Sequence, residues 1–138
     1  MIFVQNSDIT YSVNEKVTAE AVATVYKKAG LRRPVDDLDR IGRMLDHADI
    51  VITAWSGDQL VGVARAITDY SYCCYLSDLA VDPDFQQQGI GKNLIQQLQQ
   101  QIGEEVSLIL LASAVAMDYY PHIGFEKLNN SYAIGRKR

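Results

Sequence analysis

The chain has 138 residues, 48% of them hydrophobic and 22% charged, the proportions of an ordinary globular protein, and the expectation is one domain over residues 1–138. Thirteen Lys and Arg against seventeen Asp and Glu leave a net charge of −4, which argues against a nucleic-acid binder held by phosphate contacts. The longest apolar run, Leu108 to Ala112, is far too short to span a bilayer, so no membrane partner is expected.

Cys73 and Cys74 are sequence neighbours, a spacing that rarely closes a disulfide without strain, and two cysteines are few for a secreted domain. A reduced, cytoplasmic setting is expected. Met1-Ile2-Phe3-Val4 gives way at once to polar residues, unlike a signal peptide.

In chain order, Thr10 to Val13 alternates weakly as a short strand. From Thr18 the pattern turns helical, with Val22, Val25, Tyr26 and Ala29 on one face and Gly30 as the stop. Leu31-Arg32-Arg33-Pro34-Val35 is a loop by its proline, after which Asp36 and Asp37 offer N-caps for a helix carrying Leu38, Ile41, Met44 and Leu45. Ile50 to Trp55 and Gln59 to Thr68 read as a hairpin about Ser56-Gly57-Asp58, and Tyr72 to Val81 as a further strand ended by Asp82-Pro83. A helix from about Gly89 to Ile102 buries Leu94, Ile95, Leu98 and Ile102 and turns its glutamines to solvent. Val106 to Ala112, apolar almost throughout, predicts a buried central strand. A short helix through Ala116 and Tyr120 and a strand starting near Phe125 complete the order β–α–α–β–β–β–α–β–α–β, an α/β fold with a mixed sheet.

The stretch Leu79-Ala80-Val81-Asp82-Pro83-Asp84-Phe85-Gln86-Gln87-Gln88-Gly89-Ile90-Gly91-Lys92 runs from a strand through a glycine-bearing turn into a helix. Such a turn aims free backbone N–H groups at one spot, and the helix dipole adds positive potential there, as a pyrophosphate requires. Gln86 and Asn93 stand where a Walker loop needs Gly and Ser or Thr, and Leu94 stands where a dinucleotide fingerprint needs its last Gly. Neither motif fits. Gln86-Gln87-Gln88-Gly89-Ile90-Gly91 instead resembles the Gln/Arg-x-x-Gly-x-Gly/Ala pattern of the GNAT acetyltransferase family. Ser113-Ala114-Val115-Ala116-Met117-Asp118-Tyr119-Tyr120-Pro121-His122-Ile123-Gly124-Phe125 is similar to that family's Asn-x-x-Ala-x-x-Phe-Tyr-x-x-x-Gly-Phe segment. Gly30-Leu31-Arg32-Arg33-Pro34, with Leu60 to Ala66, resembles a subgroup that includes plastid arylalkylamine and lysine acetyltransferases.

The resemblance implies an N-acetyltransferase using acetyl-CoA and no metal, in which an amine attacks the thioester directly. It implies that backbone groups of Leu79, Ala80 and Val81 pair with pantetheine beside a bulged strand, and that backbone from Gln86, Gln87, Gln88, Gly89, Ile90 and Gly91 to Lys92 holds the pyrophosphate. Ser113 replaces the usual pantetheine-touching Asn, with a shorter reach. Tyr120, four residues before Gly124, stands where the family often keeps the acid that protonates the departing thiolate, a catalytic or thiol-contacting role whose alternative is that it merely packs. Small members of the family often pair, which implies a homodimer.

Strand alternation places Asp78 on one face with Leu76 and Ala80, as a candidate base for the amine or else as a structural aspartate. His47 and His122 read as surface residues. The acceptor pocket is expected between Lys28–Asp36 and Asp69–Tyr72, where Asp36, Asp37, Asp39 and Asp69 favour a cation. Tyr70 and Tyr72 offer packing for its body, and Arg32 and Arg33 offer a grip on a carboxylate. A small amine is the favoured acceptor; a protein lysine or N-terminus, or a non-catalytic acetyl-CoA-binding module, are the alternatives.

Overall fold

In a computed structural model of the chain, residues 8–138 are described; the opening segment 1–7, where no leader pattern is expected, lies outside them. The elements follow as β1 (Ile9–Val13), α1 (Ala19–Ala29), α2 (Leu38–Asp46), β2 (Ile50–Ser56), β3 (Gln59–Thr68), β4 (Cys73–Val81), α3 (Ile90–Ile102), β5 (Ser107–Leu110) and α4 (Tyr119–His122). The sheet order is β1-β2-β3-β4-β5, antiparallel except for the parallel pair β4–β5 that α3 connects.

Local chemistry sets the helix ends. The Thr18 hydroxyl accepts from the Ala21 N–H at the start of α1, and Gly30, at φ 73°, closes its end by donating to the Tyr26 and Lys27 carbonyls. Asp37 caps α2 by accepting from Arg40 N–H. Two cores result, one on each face of the sheet. Ile90, Leu94, Ile95, Leu98 and Ile102 of α3 pack on Ile50, Ile52, Ala54, Val61, Ala64, Ala66, Cys74 and Leu76. Val22, Val25 and Tyr26 of α1, with Ile41 of α2, pack on Val51, Leu60, Val63 and Ala80. Gly62 lets α3 sit close, since a Cβ there would lie 3.1 Å from Leu94 Cδ1 and 3.2 Å from Ile90 Cγ2 and Ala54 Cβ.

Two bulges bend the sheet. In β3, Val61 is the extra residue between the pairs Ala54↔Gly62 and Trp55↔Leu60; in β4, Ser77 is extra between Arg65↔Asp78 and Ala66↔Leu76. The second one reverses the alternation of β4, so that Cys74 and Leu76 face α3 while Asp78 and Ala80 face α1. The expectation that Asp78 shares a face with Leu76 is therefore corrected: the added residue shifts the period of two by one.

Two further expectations differ from the structure. β5 is an edge strand of four residues, not a buried central one, and its residues alternate between exposed and half-buried. Its pairing with β4 runs only from Cys73↔Ser107 to Leu76↔Leu110, ending where the bulge carries β4 away. Near Phe125 no strand forms: residues 125–138 carry no helix or strand. Phe125 instead packs edge-on against Tyr120, and its N–H donates to the Tyr120 carbonyl. Beyond it Leu128, Tyr132 and Ile134 are exposed.

Candidate active site

The β4 bulge gathers the charged side chains that α1, α2 and β3 direct at it. Asp78 is fully buried and accepts from Tyr26 Oη at 2.8 Å, Arg33 Nε at 2.5 Å, Ser77 Oγ at 3.1 Å and Arg65 Nε. Arg65 also donates through Nη2 to Ser77 Oγ at 2.9 Å and through Nη1 to the Met44 carbonyl at 3.5 Å. Arg33, on the α1–α2 loop, donates through Nη2 to the Ser77 carbonyl at 2.6 Å and through Nη1 to the Arg32 carbonyl at 2.5 Å.

Burial works to raise the Asp78 pKa, but the guanidiniums of Arg65 and Arg33 outweigh it and hold the carboxyl below its ordinary value. Burial and the adjacent carboxylate push Tyr26 well above the usual phenol range. A carboxylate this firmly ionised, with four donors already on it, is a fixed counter-ion. Of the two readings of Asp78, a base and a structural aspartate, these contacts are those of the second. The carboxylate grip expected of Arg33 gives way for the same reason: all three of its nitrogens donate within the protein.

Past the bulge, no strand among the described residues lies beside the far side of β4. Asp82 N–H donates to the Val61 carbonyl at 2.8 Å, and the register continues as Val63↔Ala80 and Ala64↔Leu79. Antiparallel alternation then directs the backbone groups of Ala80 toward β3 and those of Leu79 and Val81 toward the slot that β5 leaves at Leu110. Of the three residues expected to present backbone there, Leu79 and Val81 do so. Ala80 does not, because its groups face β3 and its side chain lies in the core beneath α1. The Val81 carbonyl accepts from Gln86 Nε2 at 3.4 Å, which ties the following loop to the strand end.

That loop begins with a single 3-10 turn, Pro83–Phe85, capped by the Asp82 carboxylate on Asp84 N–H. Gln87 at φ 66° and Gly89 at φ 76° take the left-handed conformation on either side of Gln88, and Gly89 caps α3 without a side-chain bond. Alternating hands of this kind turn successive N–H groups into one concavity, at the positive end of a thirteen-residue helix. Gln88 Oε1 is buried there with no hydrogen-bond partner among the described residues. Ile90 is buried and points into the core, whereas Lys92 is exposed. A Cβ on Gly91 would lie 2.9 Å from Tyr119 Oη, so the hydroxyl of α4 rests directly on the first turn of α3.

Tyr120 is half-buried, its ring edge-on to Tyr119 at 5.3 Å and to Phe125 at 5.4 Å between centroids. Burial, reinforced by Tyr119, raises its pKa, so the phenol keeps its proton across the neutral range. Ser113 is exposed beyond β5 and makes no capping hydrogen bond. The two segments expected to line an acceptor pocket anchor separately. The Asp69 carboxylate accepts from Ser71, Tyr72 and Cys73 N–H, which lowers its pKa, and Tyr70 Oη donates to the Asp49 carbonyl. No hydrogen bond or ion pair among the described residues joins this turn to the α1–α2 loop; Lys28 pairs instead with Asp82, at 3.5 Å.

Tyr119 Oη and Val81 Cγ2 both lie beside Gly91, so the end of β4, the start of α3 and α4 adjoin. The sequence profile described as acetyltransferase (GNAT) domain matches residues 13–134. The chain belongs to the GNAT acetyltransferase family. It is 30% identical over 131 residues to the uncharacterized N-acetyltransferase ycf52 of Pyropia yezoensis, covering 90% of this chain and 74% of that protein. It is 37% identical over 73 residues to the chloroplastic GCN5-related N-acetyltransferase 2 of Arabidopsis thaliana, but spans only 27% of that protein's length. A GNAT family acetyltransferase from Streptococcus pneumoniae shares the fold at a TM-score of 0.72, 26% identity, and 94% and 99% coverage of the two chains. The aminoglycoside N-acetyltransferase AAC(6')-Iy, solved in complex with CoA, does so at 0.70, 20% identity, and 94% and 95% coverage. In this GNAT domain no described helix is long and apolar enough to cross a membrane.

Sequence reasoning missed Tyr26 and Arg65 as partners of Asp78, since no motif links residues on α1 and β3 to β4. Their signal was weak: a tyrosine on the apolar face of α1 and an arginine inside an otherwise apolar strand, each of which demands a buried partner.

Removing that partner has a calculable cost. Breaking a buried pair costs about 3–5 kcal/mol, so Asp78→Asn should melt well below wild type at neutral pH. The folded carboxyl titrates below its unfolded value of about 3.9, so its contribution is present above that value and lost as pH falls through the folded pKa. Thermal melts should show a gap that is constant near neutrality and closes below about pH 4. A gap independent of pH would mean that folding leaves the Asp78 pKa unshifted, and one that narrows as pH rises above about 4 would mean that Asp78 is protonated in the fold.

Proposed function

We propose that this domain transfers the acetyl group of acetyl-CoA to a small primary amine, by direct attack with both substrates bound. The observation that carries the reading is the left-handed pair Gln87 and Gly89 at the start of α3, adjoining the unpaired backbone of Leu79 and Val81. Acetyl-CoA would supply the activated acetyl thioester. The residues fit such a group: the concavity at α3, made by the left-handed Gln87 and Gly89 at the positive end of the helix, suits a pyrophosphate.

Backbone from Gln86 to Lys92 would hold the phosphates, with Lys92 adding charge, and Leu79 and Val81 would bind the pantetheine arm like an added strand, with Ser113 at its side. The Leu79 N–H is available to a carbonyl oxygen on which charge develops. The Tyr120 hydroxyl makes no hydrogen bond to the described residues and carries its proton, so it is available to a leaving sulfur. With Asp78 committed to its arginines, water is the simplest acceptor for the amine's proton. The carboxylates of Asp36, Asp37, Asp39 and Asp69 favour a cationic amine. Cys73 and Cys74, adjacent in sequence and so ill-placed to bridge each other, accord with a cytoplasmic setting.

A panel assay tests the reading: thiol release from acetyl-CoA with polyamines, arylalkylamines, amino acids and lysine peptides. Turnover restricted to peptides would replace the small-amine acceptor, and binding of acetyl-CoA with no turnover anywhere would mean a non-catalytic module. Gly91→Asp places a carboxylate where the phosphates would lie, and Tyr119 Oη must move from 2.9 Å to admit it. An acidic residue in the first turn is favourable to the helix itself, so the fold should persist while calorimetric affinity for acetyl-CoA drops by about 10-fold or more. Unchanged affinity would remove the phosphate-loop assignment.

Tyr120→Phe keeps the ring contacts with Tyr119 and Phe125 and deletes only the proton. Acetyl-CoA affinity should hold while kcat falls on the order of 10²-fold. In wild type the alkaline loss of kcat should lie above about 10, the ordinary tyrosine value. Wild-type turnover by Tyr120→Phe, with the chemical step rate-limiting, would make the hydroxyl structural.

The open edge of β5, with Ile109 and Leu111 exposed, supports a homodimer. Light scattering at micromolar concentration should return twice the 15.4 kDa chain mass; a monomer mass throughout that range contradicts it.

A further inference from the structure

Asp78 needs one buried positive charge for balance, and Arg65, whose side chain is 9% exposed, supplies it. Arg33 is a second cation, 26% exposed, and it is surplus to that balance. What it adds is geometry. Its planar fork places Nε on Asp78 Oδ1 at 2.5 Å and Nη2 on the Ser77 carbonyl at 2.6 Å, so it grips the two consecutive residues of the β4 bulge. Through Nη1 it is also fixed to the Arg32 carbonyl, at 2.5 Å, on its own loop. One and three residues beyond Asp78, the backbone of Leu79 and Val81 faces the slot left by β5.

The angle at which β4 leaves the bulge decides where the Leu79 N–H points. We propose that Arg33 is a positioning residue for the acetyl donor: by clamping Ser77 and Asp78 it fixes the Leu79 N–H in the slot, and it makes the α1–α2 loop and the slot one mechanical unit. This rests on the acetyltransferase reading above. A lysine cannot replace the fork, because a point charge satisfies the carboxylate or the carbonyl but does not fix their relative orientation.

The test uses the full chain with Arg33→Lys and Arg33→Gln, and Arg43→Ala on the exposed side of α2 as a control for losing one surface cation. Both Arg33 variants should lose kcat by about 10-fold or more, whereas KM for acetyl-CoA, set chiefly at the α3 end, should change by less than about 3-fold. Amide NMR signals of Leu79 and Val81 should broaden or split in Arg33→Gln without any ligand, and Arg43→Ala should match wild type in every readout. Wild-type kcat in folded Arg33→Gln, or an equal loss of kcat in Arg43→Ala, would overturn the proposal. If wild type turns over no amine, the acetyltransferase reading fails by itself, and the spectra still decide the clamp. Undisturbed Leu79 and Val81 signals in Arg33→Gln would overturn it, and broadened ones would support it.

Discussion

Asp78 lies with no exposure in the middle of a sheet, where a lone carboxylate taken out of water would cost several kcal/mol. Its charge is tolerated because Arg65 comes from the neighbouring strand, Tyr26 from the helix above and Arg33 from the loop that follows that helix. Those partners all lie on the α1 side of the sheet. For Asp78 to reach them, β4 must present it to the face opposite Leu76, and a regular strand cannot do this, because residues two apart share a face. The extra residue Ser77 resolves the conflict. The bulge and the buried charge therefore require each other, and either one alone would be costly.

The bulge in turn separates β4 from β5. Pairing stops at Leu76↔Leu110, and the backbone of Leu79 and Val81 is left facing a slot that no strand among the described residues fills. Unpaired backbone beside a strand is normally a liability. Here it lies next to the loop that opens α3, and α3 can approach closely because Gly62 leaves space under Leu94 and Ile90. A strand edge and a helix N-terminus thus share one end of the sheet, where an extended ligand with an anionic group can satisfy both at once.

Much of this was legible from residue pattern. The capped ends of α1 and α2 at Thr18, Gly30 and Asp37, the hairpin at Gly57 and the strand–turn–helix through Gly89 all follow from short-range rules about caps and positive φ. β5 was harder. Leu108 to Ala112 is apolar enough for a central strand, but periodicity reports only that side chains avoid water, and says nothing of which strand lies next to it. Asp78 was misplaced on one face with Leu76 because a bulge is invisible to alternation. The role of Arg33 depends on contacts across 44 and 45 residues of sequence, a separation that no local rule reaches.

The acceptor side is where charge and hydrogen bonding must be kept apart. Asp37 spends an oxygen on the cap of α2, and Asp69 spends one on three backbone N–H groups, so neither is a free ligand for an amine. Asp69 still carries its negative charge, because those same N–H donors lower its pKa. Arg33 is one positive charge beyond what Asp78 balances with Arg65, whereas that of Lys28 is partly met by Asp82. Within a Debye length of about 8–10 Å, the carboxylates of the α1–α2 loop and the β3–β4 turn act against fewer uncompensated cations than composition suggests. A preference for a cationic acceptor can therefore arise from the field of carboxylates whose first duty is structural, without a side chain dedicated to binding it.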